Sequence, residues 1–256
     1  MQDASSDAHW RRRVDWREGK LQEELPELDL SLFSLDEFVQ FLFDRELVPE
    51  KELFDYFRSD PRGSKFDGVV ASSPNTLVDH LTQVFSSFGQ IAGKCSLALI
   101  DQTVWGMIGP SLNLSRYFFD STVPLSKRVE CISAIYHVFG DYVSKHDGEF
   151  SSELSGFDMW WDLVLDEFWL PPRSARSGEH EISHLDDDSR ALLDAMFETL
   201  TRILDLPDHE SQKSALHGLG HLHHPGVRSV VQSFIDAKHP GFSPKWLEQC
   251  RDCDVP

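Results

Sequence analysis

Residues 208–222 read DHESQKSALHGLGHL, and this stretch decides the fold. Asp208 opens it as an N-cap, and Ala215, Leu216, Leu219 and Leu222 return every three or four residues, the period of one helix face. Upstream, Leu192 to Leu204 carries a second helical pattern, and Leu206-Pro207-Asp208 is the turn that joins the two. A similar unit precedes this pair, with Leu114 to Ser121 as a short helix, Val123-Pro124 as a turn and Ser126 to Ser144 as a longer helix. Aligning Cys131 with Ala215 places Ile132, Ile135 and Val138 on Leu216, Leu219 and Leu222, so the apolar stripe is repeated along with the turn.

The rest of the chain follows the same grammar. Ser34 with Glu37 forms a capping box ahead of Phe38, Phe41 and Leu42, and Pro49 opens a helix from Glu50 to Arg58. Residues 59–73 read as a loop, Ser73-Pro74 starts a helix through Leu77, Leu81, Val84 and Phe88, and another spans Lys94 to Met107. A last pair runs from Val227 to Lys238 and onward from Ser243-Pro244. Strand-like alternation is nearly absent, so the expected class is all-α. Three parts are expected: a polar arm over 1–30, a helical part over 31–110, and helix pairs over 111–256 interrupted by a Pro-, Ser- and Gly-rich loop near 171–188.

The stretch Ser211 to Leu222, followed by His224-Pro225 and Val227 to Ile235, resembles a HEAT-type repeat, with Ala215, Gly218 and Gly220 small enough for two helices to approach closely. Together with Ile100 to Trp105 and Met159-Trp160-Trp161, it is similar to bacterial HEAT-like proteins associated with immunity to polymorphic toxins. That resemblance covers about Ser96 to Pro240 and implies an α-solenoid-like array that binds a protein on an extended surface.

Charge narrows the partners. The chain holds 43 acidic and 24 basic residues, a net charge of -19, which disfavours direct binding to nucleic acid or anionic membranes. The surplus is concentrated between Asp141 and Glu210. A solvated surface and a patch aimed at a basic partner are both open to it. No apolar run reaches the length of a membrane span, and Arg11, Arg12 and Arg13 are not followed by a signal-peptide core. Four cysteines in 256 residues give no disulfide framework, so a reducing cytoplasm is expected.

Three constellations bear on chemistry. His217 and His221 share a helix face at i, i+4, with His209, Glu210, His223 and His224 nearby, but Gly218 stands where a metalloprotease helix carries Glu. Imidazoles that cap carbonyls or face solvent are the expected reading, with no metal and no cofactor. Cys250 and Cys253 form a lone Cys-x-x-Cys, expected as reduced thiols. Asp158, Asp162 and Asp166 recur at i, i+4 and i+8, with Glu167, Trp160 and Trp161 beside them. Neither a nucleophile nor a Gly-rich phosphate loop accompanies this row, so a catalytic role is not expected. The row is read as a partner-binding surface, with the indoles as core or as anchors ringed by charge. The expected function is stoichiometric neutralisation of a toxin with a basic surface. An adaptor joining host proteins is the alternative, and a metal-dependent hydrolase comes third.

Overall fold

The computed structural model describes residues 26–49, 57, 66, 68–149, 155–168, 185–239 and 241–255, together with the strand pairing of three short segments near the N-terminus. Most of it is helical. Helix α1 (Leu35–Phe43) opens with the expected capping box, Ser34 Oγ accepting from the Glu37 amide while the Glu37 carboxylate accepts from the Ser34 amide. It buries Phe38, Phe41, Leu42 and Phe43. Helices α2 (Pro74–Ser86) and α3 (Phe88–Ala92) follow, then α4 (Leu97–Ile108) and α5 (Leu125–Asp141). Beyond them lie α6 (Trp160–Phe168), α7 (Asp187–Leu204) and α8 (His209–Leu222), and last α9 (Val227–Asp236) and α10 (Pro244–Asp252).

These helices pack against one another in succession. Helix α2 packs on α5, α5 on α7, α7 on α8, and α8 on α10, while α6 lies across α8 and also meets α4. One continuous core results, running from Leu28 to Cys250 across the chain position where the N-terminal helical part was expected to end. The apolar stripes read from sequence face this core, and Cys131, Ile132, Ile135, Val138, Ala215, Leu216, Leu219 and Leu222 are all fully buried.

The two helix-turn-helix units are alike only in their second helices. In the upstream unit, Leu114–Phe118 is a single 3-10 turn entered through Asn113 in left-handed backbone. The corresponding element of the downstream unit is the 18-residue α7, which starts five residues before the expected Leu192 because Asp186 caps it through the Ser189 amide. Short strands are a further departure from an all-helical chain. Within the expected polar arm, β1 (Trp10–Arg11) pairs with β4 (Glu27–Asp29), and β2 (Val14–Arg17) forms a hairpin with β3 (Lys20–Glu23). In turn β4 pairs in parallel with β5 (Val69–Val70), inside the segment read as a loop. Apart from Phe57, the helix expected over 50–58 lies outside the described residues, as does most of the loop near 171–188.

Candidate functional site

Helix α8 meets the segment 157–162 along one face. Ser214 Oγ donates to the Phe157 carbonyl at 2.7 Å, Lys213 Nζ donates to Asp158 Oδ2 at 2.8 Å, and His217 Nδ1 lies 3.3 Å from the Asp158 carbonyl oxygen. One step further along, Gly218 lies under Trp161. A Cβ on Gly218 would stand 2.7 Å from Trp161 Cβ and Cγ, so only glycine permits this approach. Because the helices are this close, the turn of α8 that carries His217 and His221 reaches Asp162 on α6.

Three donor atoms converge there. His221 Nε2 is 3.1 Å from Asp162 Oδ1, His217 Nε2 is 3.6 Å from the same oxygen, and the two Nε2 atoms are 3.2 Å apart. The three side chains are partly buried, between 17% and 29% exposed. A carbonyl oxygen can only accept, so the His217 Nδ1 facing Asp158 carries a proton and Nε2 is the ring nitrogen turned to the cluster. Burial, then the neighbouring His217 and His223, pull the His221 pKa down to about 4, so its ring is neutral at pH 7. Among the described residues, this trio has the donor types and spacing to hold a metal ion.

The residues singled out from sequence fall differently. Asp158 precedes α6, is buried and is bound by Lys213, so it does not extend an exposed row on that helix. Trp160 and Trp161 are both 0% exposed. Trp160 lies edge-on to Phe85 and Phe139, with ring centroids 5.5 and 6.2 Å away. Trp161 packs on Gly218. Of the two roles considered for these indoles, core and partner anchor, burial leaves the core. Asp162 faces the histidines, while the side chains of Asp166 and Glu167 lie outside the described residues.

Exposed carboxylates are found instead on α7, where Asp187, Asp194, Glu198 and the C-cap Asp205 all reach solvent. Their spacing of seven, four and seven keeps them within about 40° on a helix of 3.6 residues per turn. Among the described residues, the other histidines and the cysteine pair singled out from sequence do not join this trio. His209 stacks on Phe242 at 4.5 Å, and His224 stacks on Phe197 at 4.0 Å while pairing with Asp194 at 3.1 Å. Cys250 and Cys253 are free thiols, and burial pushes the Cys250 thiol up to about 12, opposite to the shift of a redox-active cysteine.

The chain matches no protein-family model, no curated protein and no solved structure. Among the described residues, no helix is long and apolar enough to cross a membrane.

Proposed function

We propose that this protein is a protein-binding module that neutralises a basic partner by stoichiometric binding, in the manner of the toxin-immunity proteins its sequence resembles. The observation that carries the reading is the exposed carboxylate stripe Asp187, Asp194, Glu198 and Asp205 on α7, within the most acidic part of a chain of net charge -19. Two arginines of α7 and His224, which pairs with Asp194, offset it only in part. Arg202 lies over the Tyr136 ring at 4.1 Å, and Arg190 donates back to the Leu185 carbonyl. A row of like charges on one side of a helix raises the rate of encounter with a basic surface and makes that rate fall with salt. The successive packing of α2, α5, α7 and α8 supports the HEAT-like reading, because helices stacked in succession present an extended surface.

The test is bacterial growth when the neighbouring gene is expressed alone and together with this protein. Toxicity relieved by co-expression supports the proposal, as does loss of relief when Asp187, Asp194, Glu198 and Asp205 are all replaced by Lys in a chain that still folds. Full relief by that variant would sink the role of α7, and a neighbour without toxicity would sink the immunity reading.

A further inference from the structure

We propose that Asp162, His217 and His221 bind one first-row divalent metal ion, zinc by the character of the ligand set, and that the ion ties α6 to α8. In a tetrahedral zinc shell with bonds of about 2.0–2.1 Å, neighbouring ligand atoms stand about 3.3 Å apart. The three observed separations, 3.1, 3.2 and 3.6 Å, lie on both sides of that value. An ion placed between the three atoms would therefore reach bonding distance without movement of either helix.

Ligand chemistry narrows the choice of ion. Two imidazole nitrogens and one carboxylate oxygen suit zinc and its neighbours in the first transition row, whereas magnesium and calcium prefer shells made of oxygen. The supporting shell is in place as well. The Asp158 carbonyl fixes His217 in the tautomer that leaves Nε2 free to ligate, and Lys213 holds the Asp158 side chain from the same helix. Three protein ligands leave a fourth tetrahedral position for water or for a donor atom of another molecule, and all three side chains are only partly buried. Without a metal the two imidazoles contact each other and stand at ion-pair distance from Asp162 Oδ1, and solution measurements distinguish the two states.

The full-length protein, stripped with a chelator and dialysed, is titrated with Zn2+ by calorimetry and with Co2+ in the visible. One equivalent of zinc is expected to bind, and the melting temperature is expected to rise with zinc concentration. Bound Co2+ should show the d–d bands of a tetrahedral site without the charge-transfer absorption of a thiolate ligand. D162N and H221Q should each weaken zinc binding by about 100-fold or more, since changes to the supporting shell alone cost 10–100-fold. The double variant C250S/C253S should bind as the native chain does. Failure of the native protein to take up stoichiometric zinc would overturn the proposal. Thiolate absorption with Co2+, or loss of binding in the cysteine variant, would overturn it equally, and neither readout depends on the ligand variants folding. Unchanged affinity in folded D162N and H221Q would do the same.

Discussion

At an exposed helix position, replacing glycine with alanine stabilises a protein by up to about 1 kcal/mol. Gly218 should behave in the opposite way. The added methyl would meet Trp161 Cβ and Cγ at 2.7 Å and Leu200 Cδ2 at 2.8 Å, and overpacking of this kind costs about 1–3 kcal/mol. G218A is therefore expected to melt several degrees lower than the native protein in a calorimetric scan, and an unchanged or higher melting temperature would contradict the close approach. Asp29 offers a second test, this one through pH. Its carboxylate is fully buried and accepts from the Ser31 amide and hydroxyl and from the Ser72 amide, tying the chain near residue 30 to the start of α2. Burial alone would raise its pKa, but these donors outweigh it and hold the group below the ordinary 3.8. A carboxyl lowered on folding stabilises above its unfolded pKa, and that contribution is lost as pH falls through the folded value. D29N is expected to be destabilised on the order of 2 kcal/mol at pH 7. Denaturant titrations should show the gap to the native protein closing as pH drops below about 4.

Element boundaries were legible where a single side chain decides them. Ser34, Ser73 and Asp208 each accept from a backbone amide of the helix they open, as the sequence pattern requires. For α8 this cap is itself buried, with Asp208 Oδ1 accepting from the Ser211 amide at 2.8 Å. D208A is accordingly expected to cost about 0.5–2 kcal/mol in denaturant titrations, and it should also loosen the face that carries His217 and His221. What local pattern could not give was the length of the element before α5. Asn113 in left-handed backbone and the Asp120 carboxylate, which accepts from the Thr122 amide, confine that element to a 3-10 turn. The hairpin of β2 and β3 did carry a signal, since Val14, Trp16 and Leu21 alternate with charged residues around Glu18-Gly19, but two four-residue strands are weak beside so many helical patterns. The candidate site was half legible. The i, i+4 histidines are visible in sequence, whereas their partner Asp162 is 55 residues from His217 and joins them only because Gly218 lets α6 and α8 close up.

For the whole molecule, the two indoles of α6 bear on how the helices hold together. Trp160 is wedged among the aromatic rings of α2 and α5, and Trp161 sits where α6 meets α8 beside Leu200 of α7. Each fills a junction between different pairs of helices, so each contributes to a different part of one continuous core. Truncating a buried tryptophan to alanine costs about 3–5 kcal/mol, against a total stability on the order of 5–15 kcal/mol for a folded domain. Either single variant should remain folded with a markedly lower melting temperature. The double variant W160A/W161A should lose its cooperative transition, measured by far-UV circular dichroism on heating and by loss of slow amide exchange throughout the packed helices. An anchor role would give the opposite pattern, a folded and equally stable double variant that no longer binds the proposed partner. That outcome would return the binding surface to α6 and weaken the case for the α7 stripe.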